Sequence, residues 1–168
     1  KYLNQEVSIS YIARIITEIN NAITIRAIEL VISTLKKNGK EIPDIKWCWL
    51  ALGSQGREEQ LLRSDQDNAI IFEDVEDDSI KEYFLDLATE VTEILNKCGF
   101  EFCPAHMMAS NPKWCLSLHE WQEQFNQWIY TPSEKAVMYS TIFFDYTPIY
   151  GNGEIIDELT KSIFLAID

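Results

Sequence analysis

Residues 53–68 combine side chains that could hold a phosphate group and a metal ion. Two glycines and a serine, Gly53, Ser54 and Gly56, follow an apolar run and precede a stretch that suits a short helix. Glycine lets a backbone approach a phosphate closely, and the free N–H groups at a helix N-terminus attract anions. The serine hydroxyl adds a donor, and Arg57, in the first turn of that helix, could reach phosphate oxygens with its planar guanidinium. This part of the sequence therefore predicts a phosphate-binding loop.

Two carboxylates, Asp65 and Asp67, stand two positions apart at the start of the next apolar run. In a strand, side chains at i and i+2 project to the same face. Two carboxylates held together repel each other unless a cation lies between them, and Mg²⁺ favours hard oxygen ligands together with substrate phosphates. An isolated Asp-x-Asp is more often a turn cap or a solvated pair, so the metal prediction depends on the phosphate loop beside it. Together they predict a site for a nucleoside triphosphate and Mg²⁺, or Mn²⁺ in its place.

The elements that must position these residues follow from the spacing of apolar side chains. Three strands are predicted from short apolar runs, at residues 46–52, 67–72 and 100–108. Six helices are predicted, at residues 8–37, 57–62, 80–95, 118–129, 133–144 and 154–168. Turns are predicted at residues 38–39, 43–44, 73–78, 111–112 and 150–153. The plan is α+β: a small mixed sheet flanked by helices.

The chain has 168 residues, which fits a single domain. It divides into an N-terminal helix at 1–40, a sheet core carrying the site motif at 46–108, and C-terminal helices at 117–168. Because it begins at Lys1 and both begins and ends in helix-like sequence, we expect a piece excised from a longer multidomain protein.

The formal net charge of −13 argues against some classes of partner. An acidic surface repels nucleic acid phosphates and anionic lipid head groups, although it also serves solubility alone. The sequence contains no signal peptide and no apolar stretch long enough to span a bilayer. We therefore expect a cytoplasmic protein without nucleic acid or membrane partners. Four cysteines show no CxxC spacing, so we expect buried reduced thiols at Cys48, Cys98, Cys103 and Cys115.

The signature of DNA polymerase β-like nucleotidyltransferases has Gly-Ser, then a short helix with Arg-x-Glu, and then Asp-x-Asp on the next strand. Gly53-Ser54, Arg57-x-Glu59 and Asp65-x-Asp67 resemble this signature. The longer runs at residues 53–60 and 65–69 are more closely similar to a nucleotidyltransferase family that resembles PII-protein uridylyltransferases. Members of that family are often found beside cyclic-nucleotide-binding and CBS domains in bacterial signalling proteins. Residues 108–114 and 142–145 also resemble this family, so the similarity covers about residues 15–160.

The resemblance implies a polymerase-β-like nucleotidyltransferase fold with the nucleotide at one edge of the sheet. It also implies transfer of a nucleoside monophosphate from a triphosphate to a protein or a small hydroxylated acceptor, with release of pyrophosphate. By this resemblance Gly53 and Ser54 hold the triphosphate, and Asp65 and Asp67 bind Mg²⁺. Sensory domains are implied elsewhere in the full-length protein.

A third carboxylate, on a later strand, usually helps active members of the superfamily to deprotonate the acceptor hydroxyl. Cys103 stands where that carboxylate is expected. Glu101, two residues earlier, and Asp145, near a helix end, are the two candidates for its role. A cap at a helix or turn is the structural alternative for Asp145. Thr147 stands where the closest family often has an arginine.

Three hypotheses remain open on these residues. The first is a catalytic nucleotidyltransferase domain in which Asp65, Asp67 and Glu101 carry the reaction. The second is a nucleotide-binding regulatory module of the same fold without turnover, which the missing third carboxylate motivates. The third is an interaction domain with a vestigial site, which the retained aspartates and Gly-Ser argue against.

Two further groups of side chains have both a structural and a functional interpretation. Trp114, Trp121 and Trp128 could stack on a base, but their helical spacing favours packing in the core. His106, in the predicted third strand, could act as a base, but a lone strand histidine is more often structural.

Overall fold

The computed structural model describes residues 8–53 and 65–168. Its elements in chain order, with a short 3-10 helix at Pro112–Trp114, are α1 (Ile9–Lys37), β1 (Trp47–Ala51), β2 (Asn68–Phe72), α2 (Asp78–Lys97), β3 (Cys115–Ser117), α3 (Leu118–Tyr130), α4 (Glu134–Phe143), β4 (Thr147–Gly151) and α5 (Glu154–Ile167). The predicted helix at 57–62 and the predicted phosphate contacts Ser54, Gly56 and Arg57 lie outside the described residues.

The four strands form one mixed sheet in the order β3-β2-β1-β4. β1 is antiparallel to both β2 and β4, whereas β2 and β3 are parallel. Helices cover both faces, and each face has its own buried cluster: α1 and α2 pack on one, and α3, α4 and α5 on the other. The predicted α+β class, with a small mixed sheet flanked by helices, is confirmed.

Alternation along the two central strands assigns their side chains to these faces. Ile70 and Phe72 of β2 belong to the cluster under α1 and α2, whereas Ala69 and Ile71 belong to the cluster under α3, α4 and α5. All five residues of β1 and all five of β2 are buried. Because both faces are covered, these strands appear in the sequence as continuous apolar runs, which made them predictable.

The helices begin and end close to the predicted residues because their caps are local. Ser8, Asp77, Ser117 and Ser133 each accept a hydrogen bond from a backbone N–H in the first turn of the helix that follows. None of the helices among the described residues is long and apolar enough to cross a membrane.

The strand predicted at residues 100–108 is wrong; this segment is a loop. The Gln66 amide donates to the Glu101 carbonyl at 2.8 Å, and the Asn68 amide donates to the Met107 carbonyl at 3.1 Å. Only two positions therefore separate the donors while six separate the acceptors, so the residues between Glu101 and Met107 loop away from the sheet. This excursion includes Pro104, which cannot donate to a ladder, and His106, whose φ is +54°.

The fourth strand includes the first two residues of the turn predicted at 150–153. β4 (Thr147–Gly151) pairs with β1 across a register shift between Trp49 and Leu50. Gly151 has a φ of +108°, and a Cβ there would lie 2.2 Å from the Trp47 carbonyl oxygen. The glycine that suggested a turn instead permits a close backbone approach at a bulged sheet edge. With β3 and β4, the sheet extends beyond the predicted core of residues 46–108.

Candidate functional site

The antiparallel pair β1 and β2 brings Gly53 beside Asp67. Ala51 pairs with Asn68, and one residue further on the Leu52 amide donates to the Asp67 carbonyl at 3.0 Å. Gly53 follows with a φ of +56°, and a Cβ placed on it would lie 3.3 Å from Asp67 Oδ2. Two features therefore favour glycine here: the left-handed backbone and the nearby carboxylate oxygen.

Two buried amides anchor the chain that carries the aspartates. Gln66 Nε2 donates to the carbonyl oxygens of Thr92 at 2.9 Å and Phe100 at 3.0 Å. Asn68 Oδ1 accepts from the Ala109 amide at 2.7 Å. Both side chains are 3 % exposed. The sequence reasoning missed these two residues, although polar positions alternating with the two aspartates were a usable indication.

Because Gln66 and Asn68 point towards the α1–α2 side, the alternating Asp67 faces the side covered by α3, α4 and α5. Asp67 is half-buried, and Asp65 is exposed. Burial raises the pKa of the Asp67 carboxyl, and the nearby charge of Asp65 raises it further, while a hydrogen bond from the Cys103 thiol lowers it. A carboxylate whose charge is disfavoured in this way is suited to receive a cation.

Cys103 is the residue that contacts Asp67 from the 101–107 excursion. Its thiol donates a hydrogen bond to the Asp67 carboxylate, and burial raises the thiol pKa. The thiol thus occupies a place beside Asp67 where the resemblance led us to expect a carboxylate. Cys48 and Cys115 are also buried, as predicted, but the expectation is wrong for Cys98, which is exposed at the C-terminal end of α2.

The segments that carry the two candidate third carboxylates lie on opposite sides of the Gly53–Asp67 pair. Glu101 is exposed, and its carbonyl oxygen binds the Gln66 amide, on the β2 side of the Gly53–Asp67 pair. Asp145 is half-buried in the link before β4, and Thr147, two residues later, pairs with Ala51. Asp145 therefore lies near the end of β1 that leads into Gly53, on the opposite side of the pair from Glu101. The expected strand geometry for Glu101 is wrong, because its segment is a loop.

The donor set fits a magnesium ion that is completed by substrate oxygens. In the described parts of the chain, no three His, Cys, Asp or Glu side chains come together as a metal cluster. Mg²⁺ is commonly held by one or two carboxylates plus phosphate oxygens and waters rather than by a full protein cage. Two aspartates beside a glycine turn are therefore a sufficient protein contribution.

The three tryptophans and His106, which had both a structural and a functional interpretation, lie in the core and in a loop, respectively. Trp114, Trp121 and Trp128 are buried among the helices, which confirms core packing. Trp121 Nε1 donates to the Ile70 carbonyl at 3.0 Å, so its polar edge is satisfied. His106 is exposed in a turn, and its carbonyl accepts from Asn111 Nδ2 at 3.0 Å.

The sheet is mixed, has helices on both faces, and carries an Asp-x-Asp just before its central strand β2. This arrangement is consistent with the nucleotidyltransferase class of fold. The family model described as "Putative nucleotidyltransferase DUF294" matches residues 1–135. The chain belongs to this family. Gly53, Asp65, Asp67 and Glu101 lie inside the matched residues, whereas the similarity seen at 142–145 lies outside them and stays a prediction. Neither a search of curated proteins nor one of solved structures finds a match.

Proposed function

We propose that this chain transfers a nucleoside monophosphate from a nucleoside triphosphate to a hydroxyl group of a protein or small-molecule acceptor. The observation that carries the proposal is the approach of Gly53 to Asp67 in a member of a nucleotidyltransferase family: a Gly53 Cβ would lie 3.3 Å from Asp67 Oδ2. Because Gly53 has no side chain, the Asp67 carboxylate can lie close to the backbone that is proposed to hold the phosphates. The proposal places the transfer within a larger signalling protein that carries sensory domains.

Asp65 and Asp67 are the proposed ligands of Mg²⁺ or Mn²⁺. The cation, when bound, neutralises charge that develops on the phosphate oxygens during transfer. Asp67 is the better fixed of the two, because its neighbours Gln66 and Asn68 are locked by buried hydrogen bonds. Asp65, which is exposed, is free to adjust to the substrate. Gly53, with Ser54, Gly56 and Arg57, is proposed to hold the phosphates.

In the proposed reaction the acceptor oxygen forms a bond to the α-phosphorus. The bond from that phosphorus to the bridging oxygen breaks, and pyrophosphate leaves with the bonding electron pair. The acceptor hydroxyl proton passes to a base, for which we propose Glu101. Glu101 is exposed, and its backbone carbonyl accepts a hydrogen bond from the Gln66 amide beside Asp67, so its side chain is accessible to an acceptor arriving from solvent. Asp145 is the alternative base on the other side of the site.

A second candidate function is nucleotide binding without turnover, in a regulatory module of the same fold. The specific observation that favours it is the Cys103 thiol, which contacts Asp67 at the place where the resemblance led us to expect a carboxylate. Burial raises the pKa of this thiol, so at neutral pH it is a proton donor to Asp67 and a poor base.

Pyrophosphate release separates the two candidates. The full-length protein would be incubated with each ribonucleoside triphosphate, Mg²⁺ and a lysate fraction as the source of acceptor. The transferase proposal predicts release that Asp65→Asn or Asp67→Asn abolishes, and that Glu101→Gln slows by about 10²-fold or more. Asp145→Asn is the matched control: if it, and not Glu101→Gln, produces the loss, the base is Asp145.

Release of pyrophosphate would exclude the purely regulatory candidate. Saturable binding of a triphosphate with no release in the presence of acceptor fractions would instead support it. Equal release from the wild type and both aspartate variants would contradict the assignment of the metal ligands.

A further inference from the structure

A second cavity lies outside the carboxylate site, between the 3-10 helix, the end of α3 and the start of α4. Its volume is about 470 Å³, within the usual range for small-ligand sites. Its lining includes two lysines, Lys113 and Lys135, and aromatic side chains. None of the candidate site residues among the described parts of the chain lines it.

The charge of this cavity is opposite to that of the chain as a whole. The chain has a net charge of −13, yet the described residues lining the cavity comprise two lysines and no carboxylate. Within residues 8–53 and 65–168, neither Lys113 nor Lys135 forms a salt bridge. Two lysines that line one cavity, with no carboxylate among the described lining residues, favour an anionic occupant.

The cavity wall between the lysines is aromatic. Tyr139 is half-buried, and its ring centroid lies 5.2 Å from that of Trp114 and 5.8 Å from that of Trp128. Lys135 Nζ lies 5.9 Å from the centre of the Tyr139 ring. The neutral side chains of Gln127 and Ser133 complete this part of the wall. Such a surface suits a planar ring, with polar groups that can select its substituents.

We propose that this cavity binds a small molecule in which a phosphate monoester is attached to a planar ring. The two lysines carry two positive charges, which match the charge of about −1.5 to −2 on a phosphate monoester near pH 7. A carboxylate would leave one ammonium group without a partner. Lysine serves as a point charge for phosphate, and the Tyr139 ring supplies a platform for the planar part.

The cavity lies on the same face of the sheet as Asp67. Trp114 and Trp128 belong to the cluster under α3, α4 and α5, the face towards which Asp67 points. Tyr139 also packs against the small cluster of Cys103, Met107 and Met108. Tyr139 therefore lines the cavity and also packs against the cluster that contains Cys103, the residue whose thiol contacts Asp67. The inference does not rest on the proposed transfer, because the site is built from other residues.

Phenyl phosphate tests the proposal, titrated into the protein by calorimetry at low ionic strength and without divalent ions. We expect saturable binding at least about tenfold tighter than that of inorganic phosphate or phenol. Inorganic phosphate lacks the ring that would contact Tyr139, and phenol lacks the phosphate that would contact the two lysines. Replacing both lysines, Lys113→Gln with Lys135→Gln, should weaken phenyl phosphate binding at least about tenfold. The matched control, Lys97→Gln with Lys161→Gln, changes the net charge equally at two exposed lysines outside the cavity and should leave the affinity within about twofold.

The indole N–H resonances provide a second measurement that does not depend on any variant. Trp114 and Trp128 line the cavity, so their resonances should shift on titration, whereas that of Trp121, which is bonded to Ile70, should not. The proposal is overturned if phenyl phosphate binds no tighter than inorganic phosphate, or if the two double variants lose affinity equally.

The same titration, repeated with Mg²⁺ so that the proposed carboxylate site can also bind phosphate, compares the wild type with the Asp65→Asn/Asp67→Asn variant and separates this inference from the proposed function. Phenyl phosphate should still bind that variant with wild-type affinity. Loss of phenyl phosphate binding in this variant would assign the phosphate to the carboxylate site and overturn the second site.

Discussion

Replacing Gly53 with alanine should damage nucleotide binding far more than it damages stability. The φ of Gly53 is +56°, and an L-residue in the left-handed region costs about 1–2 kcal/mol. The new Cβ would lie 3.3 Å from Asp67 Oδ2, so this oxygen must move by a few tenths of an ångström. That oxygen ends a side chain, so the movement adds little to the stability loss. It displaces a proposed ligand of Mg²⁺, which tolerates little departure from octahedral geometry.

Gly39→Ala is the matched control for this experiment. Gly39 has a φ of +84°, and nothing in the described structure lies within 4 Å of a Cβ placed there. Urea unfolding followed by tryptophan fluorescence should therefore show a loss of about 1–2 kcal/mol for both variants. Calorimetry with Mg²⁺ and the preferred triphosphate should show at least about tenfold weaker binding for Gly53→Ala only. Equal affinities of the two variants would refute the role given to the Gly53–Asp67 approach.

Two further predictions concern the fold. Gly151→Ala should destabilise the protein by about 3 kcal/mol or more, because a Cβ there would lie 2.2 Å from a β1 backbone carbonyl oxygen. Gly99→Ala, at a φ of +101° in open space, should cost only about 1–2 kcal/mol, and equal urea midpoints would contradict this account. At pH 8 a disulfide reagent should modify one thiol rapidly, that of the exposed Cys98, and Cys98→Ser should remove this phase. Burial raises the pKa of Cys48 and Cys115 to about 12, so thiolate forms only well above pH 8, and rapid modification of either would show that its burial is wrong.

The elements set by local chemistry were predictable from the sequence. Ser133 caps α4 as expected, and the apolar runs of β1 and β2 are buried on both faces. These features depend on residues that are close together in the chain. The common face expected for Asp65 and Asp67 from strand alternation stays a prediction, because β2 begins only at Asn68.

The elements set by distant partners were not predictable. Residues 100–108 look like a strand, but the backbone amides of Gln66 and Asn68 bond their carbonyls only at Glu101 and Met107, and Pro104 lies in the excursion between those two residues. Gly151 suggests a turn, although its positive φ serves a close approach to β1. The contact between Cys103 and Asp67 depends on that same excursion, so neither it nor the position of Glu101 could be read from spacing.

The measurement that tests the central claim most directly is calorimetric binding of the four ribonucleoside triphosphates with Mg²⁺. It would compare the wild type with the Asp65→Asn/Asp67→Asn double variant, with far-ultraviolet circular dichroism to verify folding. The account predicts saturable binding of at least one triphosphate to the wild type and its loss in the folded variant. Equal binding by both proteins, or no binding of any triphosphate to the wild type, would contradict it.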